Sequence, residues 1–556
     1  MINAFETKIA KTNYIIFFKA LFIIMFESIR EYNDSSKKIQ KGIIFLLNLF
    51  VITTVAAQQN AKIFEDYKKD KNVLPDFSYV GYHQGEKNIP NITNYKVFDV
   101  TEFGAKPNDD ISDKQAIQLA IDAANKNGSG IVFFPKGRFL VNEDGDANNS
   151  IISKNGHIIF RGSGSGSGGT ELFMKNNLPP ANPSQMWTVP PLFIFTSSGS
   201  DKKIGQVTAA ASVGDLTIQV NTTEGLESGD WIALKLLDNN KDLIASELKN
   251  NKVEPEWTSL INKGISVNVF YQIKKIKNGK LTLMAPISYA IDPKYQWGVY
   301  KFAHNEEIGI EDIAFVGNWK EKFVHHRSWK DDSGYTMLRI QKTTNSWIKN
   351  CRFTDCSVAA TISQSANVTV LNCLVNGNAG HEAISAGGST NVLIAKCVDE
   401  ASQWHSFGTT GGTMNTVIWK CTYPATTCFE SHSSQPRNTL LDGVEGGLMN
   451  GRAGGAKENM PNHMQGLVLW NYKQTNEPVK DFEFWPPTVV SEWWRIPNPV
   501  IVGFTSKGST FKKEQLGQSE SIGTAVEPAS LYEAQLKLRL GKLPEWIKET
   551  NKASTF

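Results

Sequence analysis

The chain has 556 residues, 40% of them hydrophobic and 20% charged, with a formal net charge of +3. This composition belongs to a folded chain and excludes a disordered one. A balance so near neutral argues against a general nucleic-acid binder, yet leaves room for local basic patches facing an acidic substrate.

At the N-terminus, Lys37, Lys38 and Lys41 precede an apolar run from Gly42 to Val55, followed by Ala56-Ala57-Gln58. A basic start, an apolar stretch and small exit residues form an export signal, with cleavage expected near Ala57. The run is shorter than the roughly 20 apolar residues of a spanning helix. An earlier apolar stretch, Tyr14 to Phe26, contains Met25, an alternative translation start. A membrane hairpin built from both runs is the competing reading. Residues 1–57 are thus assigned to a signal region, and the mature chain is expected to be secreted, periplasmic or at the cell surface, without an integral membrane span.

Residues 58–98 read as a polar, irregular extension. A solenoid start is expected over 99–200. Within it Asp113 to Asn127 has Ile117, Ala120, Ile121 and Ala124 at helical spacing, with Gly128 as a stop. Ile131 to Phe134 is a short strand ending in Pro135-Lys136-Gly137. The glycine-rich run 162–169 lacks the Lys-Ser/Thr of a phosphate loop and reads as a turn. Residues 201–290 alternate in short strands with turn signals such as Asn278-Gly279, a small antiparallel β insertion.

Coils resume over 291–510. Asn345, Asn367, Asn391 and Asn415 recur at spacings of 22, 24 and 24 residues, and Cys351, Cys373, Cys397 and Cys421 repeat them. One β-rich motif per 22–24 residues is a solenoid signature. Stacking at about 4.8 Å would turn the asparagines into an amide ladder and the cysteines into an interior row. Reduced core thiols are expected; disulfides between coils are the alternative, and zinc is disfavoured by the absence of any CxxC pair. Residues 511–556 form a tail with a helix from Leu531 to Leu540, capped by Ser530 and Gly541 and suited to covering the solenoid's C-terminal end.

Chemistry-bearing residues follow each asparagine–cysteine motif. Successive coils carry His381 and Glu382, then Trp404 and His405, then Glu430 and His432. Three coils span roughly 10 Å, the scale on which an acid and a base flank a glycosidic bond. Counted from each coil's cysteine the histidines fall at +8, +8 and +11, which aligns His381 with His405 and displaces His432. A long interruption between Gly317 and Gly334 supplies His325, His326, Arg327 and Trp329 as one wall of a groove. Arg437 and Arg452 are candidates for gripping a carboxylate. Trp485, Trp493 and Trp494 are read first as packing against the solenoid side, with sugar platforms as the alternative.

The string from Phe103-Gly104-Ala105 through the Asp113–Asn127 helix to Ile131–Val141 resembles the opening of the pectate-lyase superfamily. The resemblance implies a right-handed parallel β-helix whose N-terminal end is plugged by that helix. It also implies that His381-Glu382, Trp404-His405 and Glu430-Ser431-His432 occupy the coil positions where polygalacturonase-type members carry acidic and histidine residues. No Asp-Asp pair is present, so that hydrolytic mechanism is not carried over.

The fold expected is all-β, a parallel β-helix with N- and C-terminal capping helices. The expected function is depolymerisation of an acidic, uronate-containing polysaccharide by β-elimination, with His405 or His432 as base and His381 as acid. A glycoside hydrolase using Glu382 and Glu430 and a non-catalytic glycan-binding β-helix are the alternatives. Ca²⁺ at the carboxylates is a possible cofactor, nucleic acid is not a partner, and a monomer is expected.

Overall fold

The computed structural model describes residues 59–249, 251–487 and 494–553. The segment read as an export signal, its expected cleavage site and Trp493 lie outside the described residues. Three parallel sheets wind into one right-handed solenoid. The long sheet runs from Val97–Asp99 to Gln518–Glu520. A second sheet runs from Gly137–Val141 to Val398–Asp399, and the third, called here the groove sheet, from Ile151–Ser153 to Glu430–His432.

The asparagine column is the fold's most regular feature. Asn345, Asn367, Asn391 and Asn415 sit at φ between 45° and 61°, the left-handed region that asparagine tolerates better than other side chains. Each amide donates to the one below: Asn367 to Asn345 at 3.4 Å, Asn391 to Asn367 at 3.2 Å, Asn415 to Asn391 at 3.0 Å. A fifth rung, Asn438 to Asn415 at 3.0 Å, extends the column one coil further. That coil has Val444 in place of a cysteine, which hid the repeat. The four stacked cysteines, with Cys356 and Cys428, are fully buried free thiols.

Phe134, Phe160, Phe193, Phe315 and Phe353 fill the interior of the early coils. The helix Lys114–Asn127 closes that end, burying Ile117, Ala120, Ile121 and Ala124 against the same core. Each such side chain contributes about 1.5–3 kcal/mol on burial.

Two expectations are revised. The segment 59–98 is not irregular throughout. It forms a helix, Lys62–Lys69, and buries Ile63, Phe64, Tyr67 and Phe77 against the outer face of the long sheet. Its anchors are scattered rings without periodicity, so the sequence pattern concealed them. The C-terminal helix Leu531–Leu540 covers the same flank of the solenoid, where Tyr532 and Leu536 pack with Trp419, Leu440, Val468 and Trp470. Those outward-facing apolar residues of the long sheet require a lid along the side.

The insertion is a six-stranded antiparallel sheet from Lys202–Gln206 to Trp297–Lys301, passing the 290 limit read from the sequence. Its apolar face packs on the solenoid through Met414, Met460 and Met464. No helix among the described residues is long and apolar enough to cross a membrane.

Candidate functional site

The site forms where the chain bends from the second sheet into the groove sheet. Strands Glu382–Gly387, His405–Thr410 and Glu430–His432 lie side by side. Glu382 pairs in register with His405, Gly408 with Glu430, and Thr410 with His432. The alignment of His381 with His405 is therefore off by one residue. The N–H groups of His381 and Glu382 both donate to the Ser357 carbonyl, at 2.8 and 2.9 Å, so the bend takes up an additional residue as a bulge does. His381 nonetheless reaches the site from the bend, its ring centroid 5.2 Å from that of His405.

The loop 317–334 delivers two more imidazoles. Its short helix Trp329–Ser333 is capped by Ser328. Asp331 accepts from the Val324 N–H at 3.1 Å and Asp332 from the His326 N–H at 3.1 Å, which fixes the loop's path. His325 lies between Trp404, stacked at 4.5 Å, and His326, stacked at 3.6 Å. His325 is 5.4 Å from His381 and 5.9 Å from His405, ring to ring. His432 stands 6.0 Å beyond His405. Five imidazoles from three coils and one loop thus share a single pocket.

The cavity has a volume of about 720 Å³ and is walled on its far side by the glycine-rich segment Gly451–Asn459. Gly454, Lys457, Glu458 and the exposed rim residue Trp187 belong to this lining and were missed in the sequence. The glycine run signalled a loop without revealing where it folds. Glu430 lies behind the histidines, its Oε1 at 3.7 Å from His405 Nδ1 and 3.8 Å from His432 Nε2. The Arg452 guanidinium stacks on Trp404 at 3.6 Å, and its backbone carbonyl accepts from His405 Nδ1 at 3.2 Å.

Other candidates do not meet there. Arg327 turns away to Asp331 and Glu321, at 2.8 and 2.9 Å. Arg437 opens a long-sheet strand, not a groove strand, and faces the insertion, 3.5 Å from Glu247. Glu382 is directed toward Ser385 and Arg339 and does not line the cavity. Trp494 is fully buried against Phe429 and Phe482, and Trp485 packs on Trp257 of the insertion. His463 is a satisfied core residue, bonded to Thr439 and Met464.

Burial dominates the site's electrostatics. It lowers His381 to about 3 and His325 to about 4, with neighbouring imidazoles adding to the effect, and lowers His432 to about 4. His405 is pushed well below the ordinary range for the same reason. These rings are neutral near neutral pH. The Glu430 carboxyl is raised well above the usual range by burial and then by the Glu382 charge, so its protonated form is favoured.

The fold and site together define a parallel β-helix with a histidine-lined cavity on one sheet. Residues 97–175 match the family described as Rhamnogalacturonase A/epimerase, pectate lyase-like, and residues 321–434 match the right-handed beta helix region. Residues 402–550 match a domain of unknown function, DUF4955. The chain is a right-handed parallel β-helix protein, and the opening of its solenoid is pectate lyase-like. A protein of Azotobacter vinelandii, "Alginate lyase 7", is 41% identical over 69 residues, which is 12% of this chain and only 8% of that protein. Among solved structures, the tailspike gp49 of Pseudomonas phage LKA1 has 14% identity and a TM-score of 0.42, covering 77% of each chain. The exopolygalacturonase of Thermotoga maritima has 10% identity and a TM-score of 0.36, covering 81% of this chain and 86% of its own.

Proposed function

We propose that this protein is an exported enzyme that depolymerises a uronate-containing polysaccharide by β-elimination. The observation that carries the reading is the gathering of five imidazoles in one cavity, without a pair of carboxylates facing each other across it. Elimination needs a base that is unprotonated at neutral pH and positive charge near the uronate carboxylate. His432 is the base: it takes the C5 proton, the electron pair forms the C4–C5 double bond, the C4–oxygen bond breaks, and the same ring returns the proton to the departing oxygen. Glu430 beside it positions the ring. Lys457 and Arg452 supply positive charge at the cavity, and Trp187 offers a face for a sugar ring. His381, whose Nδ1 faces a carbonyl acceptor at 3.2 Å, has no proton on Nε2 to give and is not the acid.

The test is to incubate the purified protein with uronate-containing, sulfated and neutral polysaccharides, following ultraviolet absorbance of unsaturated ends together with reducing sugar. Both signals rising on a polyuronate supports elimination. His432→Ala should then lower the rate by about 10²–10⁴-fold, the usual worth of a general base. Reducing ends without absorbance would instead support hydrolysis, a reading favoured by Glu430, whose protonated carboxyl is what a general acid requires. Neither signal across the panel would leave a glycan-binding protein.

A further inference from the structure

Three of the five imidazoles present a pattern that elimination alone does not explain. Candidate ligand atoms of His325, His381 and His405 all lie within 4.8 Å of one another. His381 Nδ1 is 3.2 Å from the Asp332 carbonyl and His405 Nδ1 is 3.2 Å from the Arg452 carbonyl. A carbonyl only accepts, so the proton sits on Nδ1 in both rings and the Nε2 lone pair is left for the cavity. Among the described residues, no hydrogen-bond partner reaches Nε2 of His325 or of His381, although both atoms are buried. His381 Nε2 is thus a buried acceptor with no donor, which is costly, and His325 Nε2 is buried beside it without a partner of either kind. A cation between the rings would serve both.

We propose that His325, His381 and His405 bind a zinc-class divalent transition metal through their Nε2 atoms, with an open coordination position toward the cavity. An Nδ1–H held by a backbone carbonyl is the outer arrangement that orients metal-binding histidines. Three protein ligands plus one open position is the pattern of a reactive zinc site, whereas a structural site is closed by four. Imidazole nitrogens select zinc, cobalt or nickel, while Ca²⁺ takes oxygen ligands, so calcium is not the ion this cluster selects. Tetrahedral ligands at about 2.1 Å stand about 3.4 Å apart, so the cluster contracts by on the order of 1 Å on binding. Loop-borne His325 is placed to make that movement.

A second set, His326, Asp332 and His381, shares one ring with the first. It is the weaker choice because His326 is exposed and one oxygen of Asp332 already accepts the His326 N–H, although the other, Oδ2, is buried without a hydrogen-bond partner among the described residues. The metal's role rests on the elimination reading: the open position would take a uronate carboxylate oxygen and stabilise the carbanion developing at C5.

The experiment strips the full-length protein with a chelator and titrates it with Co²⁺, following visible absorption and bound metal per chain, then repeats this with Zn²⁺ in competition. One Co²⁺ per chain with the intense bands of a four-coordinate site is expected. His381→Ala and His405→Ala should weaken binding by more than about 100-fold, beyond the loss caused by an outer partner. Because those two rings are buried, His325→Ala on the loop is the decisive variant, since its removal leaves the coils intact. His432→Ala should bind the metal like the parent. No stoichiometric binding, or undiminished binding by His325→Ala at a preserved melting temperature, overturns the proposal. Metal binding without unsaturated products sinks the elimination reading and leaves the site standing. Unsaturated products formed at the parent rate by metal-free protein sink the metal's role in the reaction and leave the elimination reading.

Discussion

Gly454 rests directly against the ring of His432: a Cβ at position 454 would lie 2.6 Å from His432 Cδ2. The same atom would meet Glu430 Oε1 at 2.9 Å and His405 Cε1 at 3.1 Å, and the backbone there has φ +78°. This glycine therefore sets how closely the covering loop approaches His432, Glu430 and His405. Gly454→Ala should displace His432 and lower turnover on the polyuronate by at least tenfold, roughly the effect of a misplaced reacting group. The strained backbone should cost about 1–2 kcal/mol in a local loop. Steady-state rates beside a thermal melt check this, and full activity with the variant would show that the loop does not position the base.

The asparagine ladder carries a stability prediction. Asn391 donates to Asn367 and accepts from Asn415, both inside the solenoid, at φ 59°. Asn391→Ala removes two hydrogen bonds, leaves buried amide groups unpaired and forces alanine into the left-handed region. The expected loss is about 2–4 kcal/mol. Asn391→Gly should recover about 1 kcal/mol of it by relieving the backbone alone. Denaturant melts of the three proteins separate the terms, and equal stability of the alanine and glycine variants would remove the backbone contribution.

The ladder was legible in the sequence because each rung is a local motif repeated at one spacing, and the helix Lys114–Asn127 because its apolar positions keep a single period. The site was legible only in part. His325, His326, His381, His405 and His432 do meet, yet their register was misread, because a bulge at His381 leaves no mark in residue type. Arg437 was assigned to the groove although its strand belongs to another sheet, a matter of which face of a coil points where. Trp494 packs inside the solenoid, in line with the packing reading that the sequence favoured over a sugar platform. The wall around Gly454 follows soon after His432 in the chain, but its glycine-rich sequence carries no sign that it folds back over the histidines.

The six cysteines give a third expectation. Burial pushes the Cys428 thiol up to about 12, and the Cys356 thiol higher still, so neither is a ready nucleophile or a partner in exchange. A thiol reagent should label none of the six in the native protein and all of them in denaturant. Dithiothreitol should leave the melting temperature unchanged. A reagent-silent denatured protein, or a melt that falls on reduction, would point to disulfides between coils.

The last prediction concerns how the C-terminal helix is held. Asp442, on the long sheet, accepts from Ser530 Oγ at 2.6 Å, the Tyr532 N–H at 2.9 Å and the Leu531 N–H at 3.1 Å, joining the helix N-terminus to the coils. Burial nonetheless raises its carboxyl to about 7, with those three hydrogen bonds pulling in the other direction. In the unfolded chain an aspartate titrates near about 3.9. The folded protein therefore keeps a proton that the unfolded chain has released, across the window from about pH 4 to about pH 7. A raised acid stabilises the fold fully below the unfolded value and loses that contribution as pH rises through the folded one. The slope attributable to this one group is on the order of 1 kcal/mol per pH unit, levelling above about 7. Asp442→Asn keeps the shape, cannot ionise, and replaces one accepting oxygen by a donor. It should be less stable overall, because the N–H groups of the helix lose an acceptor, and its stability should fall less between pH 4.5 and 7.5 than that of the parent. Denaturant melts of both proteins across this range give the comparison. Parallel curves would mean that Asp442 is already ionised at the low end of the range, with the three donors outweighing burial, and its role would then be that of a charged N-terminal anchor for the helix.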